Sequence, residues 1–170
     1  MIMRALVVVS GLVGAVAASQ IPELMQQYRQ RLGGAVEELT RVVADFDSDA
    51  AREDLTRDQA LERYITSGDR FFNRRGVSMQ RTLARFDRIT AHHAALLDAS
   101  AVERPALFWT YSDPVLLDGT VEEFRPAVPT TAEGAVYAFG GFVLGAALMA
   151  LLLGILRRIG RLFRRSARIS

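Results

Sequence analysis

From Ala135 to Leu156 the chain runs for 22 residues without a charge, and the next dozen residues carry six arginines. A helix of that length rises roughly 33 Å, close to the hydrocarbon thickness of a bilayer. The run reads as a transmembrane helix. A buried central helix in a soluble bundle would need apolar surface around every side, and the rest of the chain offers too little.

A second apolar stretch lies at the start. Ala5 to Pro22 is 18 residues without a charge, preceded by Arg4 and followed by Glu23. Small residues at "AVAAS" also fit a cleavable secretory signal, with cleavage after Ala18 or Ser19. The length of the run favours retention as a first span. Basic flanks are held on the cytoplasmic side, so the six-arginine tail places the C-terminus inside, and Arg4 does the same for the N-terminus. Residues 23 to 134 are then expected in the periplasm of a bacterial inner membrane.

Charge follows the same division. All 19 acidic residues lie between Glu23 and Glu133, beside 14 arginines, while the tail after Leu156 has six arginines and no acid. The overall excess of +2 therefore reflects flanks of a membrane, and no nucleic-acid partner is expected. Lysine is absent, which reads as GC-rich coding in a bacterial genome. Cysteine is absent as well, so there is no disulfide framework and no thiolate metal site.

Between the spans, helical periodicity dominates. Leu24, Tyr28, Leu32, Val36, Leu39, Val43 and Phe46 recur at three and four, forming one apolar stripe that extends the first span outward past Pro22. Gly33-Gly34 permits a bend or a close helix approach. "SDAAREDL" ends the stripe, and Thr56 with Gln59 has capping-box spacing for a short helix to about Ser67. After Gly68-Asp69 a second long stripe runs through Phe72, Met79, Leu83, Phe86, His93 and Leu97. Residues 23–100 thus read as an antiparallel helical hairpin or small bundle.

Residues 101–134 hold four of the five prolines and read as short helices and extended connector. Pro105 and Pro114 each suit the opening of a short helix, the latter behind Asp113 as cap, and Thr130 with Glu133 fits a box opening the second span. Phe108, Trp109 and Tyr111 fit either a membrane interface or the plugged end of the bundle. The fold class expected is all-α: transmembrane helices at 1–22 and 135–156 flanking a small extramembrane helical domain, with a basic cytoplasmic tail at 157–170. In that tail Ile159, Leu162 and Phe163 stand between arginines, as in an amphipathic helix lying on an anionic leaflet; a simple stop-transfer cluster reads the same way.

Catalytic and metal motifs are not found. His92 and His93 are adjacent, so on a helix they point about 100° apart and do not readily share a metal. His93 falls on the apolar stripe as a packing residue and His92 on the solvated side. Pairs such as Glu37-Glu38 and Glu122-Glu123 suit solvated helix faces. Neither apolar run contains an ionisable residue, which removes the usual sign of an ion pathway. No enzyme activity, cofactor or metal is expected.

The runs "SQIPELMQQYRQRLGGAVEEL" and "FRPAVPTTAEGAVYAFGGFVLG" resemble a proteobacterial family of short membrane proteins carrying a domain of unknown function. The resemblance covers nearly the whole chain. It implies an inner-membrane protein with two spans, and it brings no activity, cofactor or catalytic residue.

The function expected is an accessory or scaffold subunit that binds an envelope protein, or itself, through the periplasmic domain. A lipid- or small-ligand-binding module is the alternative. The partner surface expected joins Gln26, Gln27, Tyr28, Gln30 and Arg31 to Phe124, Arg125, Pro126 and Pro129, with internal bracing as the competing role for the same residues. Small residues four apart, at Ser10, Gly14 and Ala18 in the first span and Gly141 and Gly145 in the second, suit close helix packing in lipid, between the spans or between copies. Membrane lipid is the other partner expected, as anionic headgroups at the tail.

Overall fold

The computed structural model describes residues 1–100 and 102–166, with side chains as far as Arg158. It is all-α, with two long apolar helices toward the ends and shorter ones between. The helices are α1 (Ile2–Ser19), α2 (Ile21–Arg52), α3 (Arg57–Ile65), α4 (Arg70–Asp98), α5 (Arg104–Tyr111), α6 (Pro114–Glu122) and α7 (Ala132–Ser166). They form two compact units, one of residues 1–25 with 124–170 and one of residues 26–123.

In the first unit α1 packs against α7. The seam is built where side chains vanish: a methyl on Gly14 would run into the carbonyl of Gly141, and one on Gly145 into that of Ser10. Away from the seam, Leu12, Val13, Val16, Leu144, Leu148 and Leu151 stand exposed. Only 11% of the apolar window in the first helix and 6% of that in α7 is buried. Both helices are long and apolar enough to cross a membrane, and neither is shielded as the core helix of a soluble bundle would be. The amphipathic pattern expected from Ile159 onward falls on side chains outside the described residues.

Helix α7 begins at Ala132, and its cap is Thr131, whose Oγ1 accepts the Gly134 N–H at 3.1 Å. This corrects the expected Thr130–Glu133 box by one residue. From 124 to 130 the chain carries no helix, in keeping with Pro126 and Pro129.

In the second unit α2 and α4 run antiparallel: Tyr28 near the start of α2 lies against His92 near the end of α4, and Gly33 lies beside His93. The buried apolar side chains are Tyr28, Leu32, Val43 and Ala50 from α2, Ala60 from α3, Leu83, Ile89 and Leu96 from α4, Phe108 from α5 and Leu116 from α6. On α4 this differs from the stripe read in the sequence, since Phe72 and Leu97 are exposed while Gly76, Ile89, His92 and Leu96 are buried. The cause is a helix with three neighbours. It packs against α3 at its start and α5 toward its end as well as lying along α2, so its buried face is wider than one stripe and turns along its length.

Local chemistry sets the turns. Helix α2 ends with Asp54 at φ 54, the Leu55 N–H donating to the Ala50 carbonyl and the Asp54 N–H to that of Ala51, the crossed pair of a Schellman stop. Thr56 and Gln59 form the reciprocal capping box of α3. Gly76 lets α4 close on the end of α3, where an added Cβ would sit 2.8 Å from the Ile65 nitrogen.

Candidate functional site

Two features of the 26–123 unit bring chemistry-bearing side chains together. The first is a buried polar clasp that ties the α5–α6 arm to the hairpin. Asp113 caps α6, accepting the Leu116 N–H at 3.2 Å, and Pro114 at the first helical turn has no N–H to satisfy. Its carboxylate also receives Arg85 through Nε at 3.2 Å and Nη2 at 3.1 Å, and Arg88 lies 3.7 Å away. Across the core, the Tyr28 hydroxyl accepts the Asp113 N–H at 2.9 Å and stands 3.4 Å from His92 Nδ1. The Tyr28 ring meets Phe108 edge-on at 5.2 Å.

Electrostatics in the clasp follow from burial and partners. Burial alone would raise the Asp113 carboxyl, but the Arg85 hydrogen bonds, the Leu116 N–H and the two guanidinium charges outweigh it and hold it below the usual range. Burial pushes the Tyr28 hydroxyl up, partly offset by the Asp113 N–H and Ser112. Burial and then the neighbouring His93 push His92 down, against support from the Leu107 backbone. His92, expected on the solvated side, is in fact 6% exposed, because α5 closes over it.

Most polar atoms in the clasp are consumed by one another, so its chemistry is structural. One side remains partly open. A cavity of about 470 Å³ lies beside His92, lined also by Ala91, Ala95, Leu107 and Tyr111.

The second feature lies at the other end of the hairpin. Phe46, Tyr64 and Phe72 form a chain of rings with centroids 6.4 and 6.1 Å apart. With Ala50, Leu55 and Ala60 they line a groove of about 540 Å³ between α2, α3 and α4. Asp49, Arg52, Glu53 and Arg63 line it too, so the groove carries both charge signs. Tyr64 and Phe72 stay 38% and 47% exposed, so the groove presents ring faces to solvent. At its edge Arg57 donates twice to Asp47, at 2.7 and 2.6 Å, and this holds the Asp47 carboxyl below its usual range.

The residues expected at a partner surface divide between the units. Gln26 to Arg31 belong to the second unit and Phe124 to Pro129 to the first. Tyr28 is a correction: it is fully buried, because its ring fills the core under Phe108 and its hydroxyl serves Asp113, so it presents nothing to a partner. Arg31 binds Glu123 at 2.7 Å and lies over Gly119. Gln26 and Gln30 are exposed and Gln27 is half-buried.

In the first unit Arg125, Pro126 and Pro129 are exposed and Phe124 is half-buried. The Gln20 amide clamps the chain before α7, donating to the Ala127 carbonyl and accepting its N–H, both at 3.1 Å. Sequence reasoning missed Gln20, although a lone amide at the end of an apolar run was a signal. Ser10, Gly14, Ala18, Gly141 and Gly145 are brought together in the α1–α7 seam, with Gly141 facing both Gly14 and Ala18. Among the described residues no three His, Asp or Glu side chains converge as a metal site.

No curated protein and no solved structure matches the chain. One family model does, over residues 2–162, and its description is "Protein of unknown function (DUF2937)". With the match running through both apolar helices and everything between them, the chain belongs to the DUF2937 family.

Proposed function

We propose that this protein is a non-enzymatic accessory subunit of the bacterial inner membrane, held by two spans, whose periplasmic helical domain docks an amphipathic helix of another envelope protein. The observation that carries the reading is the exposed aromatic groove of Phe46, Tyr64 and Phe72. An amphipathic helix would place apolar side chains against these rings and its charges beside Arg52, Arg63 and Glu53. The arginine-rich tail supports cytoplasmic ends, with that tail against anionic lipid, and residues 23–134 on the periplasmic side.

A photo-crosslinker at Ser67, on the groove wall, is expected to trap one envelope protein in stoichiometric yield. Tyr64→Ala with Phe72→Ala is expected to abolish that product while the helical circular dichroism of the purified chain is kept. Equal crosslinking by the double variant would defeat the groove as the docking site. Topology is checked separately with reporters at residue 100 and at the C-terminus, where a cytoplasmic signal at residue 100 would reverse the orientation.

A second reading, a lipid- or small-ligand-binding module, is supported by the cavity beside His92 with its apolar Ala91, Ala95 and Leu107 walls. Native mass spectrometry distinguishes it: a lipid bound at one per chain and lost on Ala95→Trp would favour this reading.

A further inference from the structure

On α4, Arg70, Arg74, Arg81, Arg85 and Arg88 fall within roughly 60° of one helical face, over about 27 Å. On α2, Arg31, Glu38 and Asp45 repeat every seven residues, and Asp49 follows four later, so these too share a face. At the end where the chain enters and leaves this unit, both faces are covered by α6. Arg85 and Arg88 hold Asp113 at its start, and Arg31 lies over Gly119 and binds Glu123 at its end. Beyond that helix the same two faces continue uncovered, as Glu38, Asp45 and Asp49 on α2 and Arg70, Arg74 and Arg81 on α4, all exposed.

The uncovered part is strongly asymmetric in charge. Residues 37–53 hold six acids against two arginines, and residues 70–88 hold six arginines against Asp87 alone. Glu38 and Asp49 pair only with Arg41 and Arg52 one turn along their own helix, exchangeable surface contacts of small net value. Among the described residues Asp45, Arg70, Arg74 and Arg81 make no ion pair. The spacings match in opposite directions: seven then four from Glu38 to Asp49, and seven then four from Arg81 back to Arg70. Beside the charges, Val42 and Phe71 are exposed at 37% and 67%.

We infer that a second copy of this chain covers this face, α2 of each copy lying antiparallel on α4 of the other about a two-fold axis parallel to the helices. That axis brings each acidic stripe over the partner's arginine stripe, twice per dimer, and covers Val42 and Phe71. That axis also keeps corresponding helices of the two copies running in the same direction, and the role of confinement in one bilayer rests on the membrane reading above. The open stretch, from Glu38 to Asp49 on α2 and from Arg70 to Arg81 on α4, is about 17 Å long, a patch at the small end for protein interfaces. Confinement in the membrane raises the effective concentration that such a patch needs.

The test uses the full chain in proteoliposomes, with Gln80→Cys as the only thiol carrying donor or acceptor dye. Wild-type copies are expected to show energy transfer above the level set by random dilution in lipid, falling to that level in 0.5 M salt as the stripes are screened (on the order of a 4 Å Debye length). Arg74→Glu with Arg81→Glu makes both stripes acidic; Glu38→Arg with Asp45→Arg makes both basic. Each double variant alone is expected to lose transfer, and a mixture of the two is expected to regain it, since unlike copies are complementary at both contacts. Transfer at the dilution level for wild type, transfer kept by either variant alone, or no recovery in the mixture would overturn the inference. Tyr64→Ala with Phe72→Ala leaves the stripes intact and is expected to keep transfer, so loss of the docking groove and loss of the dimer are read independently.

Discussion

Tyr28 accepts the backbone N–H of Asp113 with its hydroxyl at 2.9 Å, across 85 residues of chain and inside the core. That one bond fixes where the α5–α6 arm lands on the hairpin, because the same aspartate caps α6 and holds Arg85. Tyr28→Phe keeps the edge-on packing with Phe108 and strands a buried donor, a loss of about 1–3 kcal/mol. Denaturant unfolding of the detergent-solubilised chain, followed by helical circular dichroism, is expected to shift by that amount. An unchanged midpoint would mean that the ring alone seats the arm.

Acid should weaken the same clasp in two separate windows. His92 is depressed by burial and by His93, so the unfolded chain takes up its proton first. Stability falls as pH drops below the unfolded histidine value of about 6.5 and levels off once the folded group titrates. Asp113 is also depressed in the folded state, so its contribution is present above the unfolded value and is lost only at lower pH, through the folded one. His92→Gln is expected to remove the first slope and leave the second. A variant with the wild-type slope between pH 7 and 5 would assign that slope to another group.

How much of this was legible in the sequence depended on whether the partner was near in the chain. The Thr56–Gln59 box and the Asp113-Pro114 opening are local hydrogen-bond chemistry, and both lie where the spacing put them. The apolar stripe of α2 was legible because one face of that helix carries the core at Tyr28, Leu32 and Val43. The register of α4 was not, since a single period cannot describe a face that meets α3, α2 and α5 in turn. Tyr28 lay both on the α2 stripe and beside glutamines and arginine at the expected partner surface, with nothing local to decide between the two. Its burial depends on Asp113 and Phe108, which no local pattern connects to it.

Gly76 sets the approach of α3 to α4. A β-carbon there would lie 2.8 Å from both the Ile65 nitrogen and the Tyr64 Cβ, and backbone cannot yield as a flexible side-chain tip can. Gly76→Ala should therefore destabilise the unit by about 1–3 kcal/mol, the usual cost of forced overpacking, despite the better helix propensity of alanine. Gly34→Ala, with nothing within 4 Å of the added carbon, is expected to be neutral or slightly stabilising in the same unfolding assay. Equal responses from the two glycines would remove close packing as the reason for Gly76.

Adjacent glycines in α7 give the sharpest test of the helix seam. A methyl on Gly141 would strike the Gly14 carbonyl and the Ala18 side chain, whereas one on Gly140 meets nothing within 4 Å. Without a hydrophobic drive between helices in lipid, the pair is held by close packing, so bulk at Gly141 acts directly on association. Met3 and Arg157 touch across the far end of the same seam, and the chain has no native cysteine. Cysteines at 3 and 157 joined by a short thiol crosslinker therefore report closure in membranes. Gly141→Val is expected to lower the crosslinked fraction, since about 1–3 kcal/mol of overpacking corresponds to a 5- to 150-fold shift toward the open state. Gly140→Val is expected to leave it unchanged. If both variants crosslink as the parent does, the seam tolerates a side chain and the two helices are held by something other than the bare backbone contact at Gly14 and Gly141.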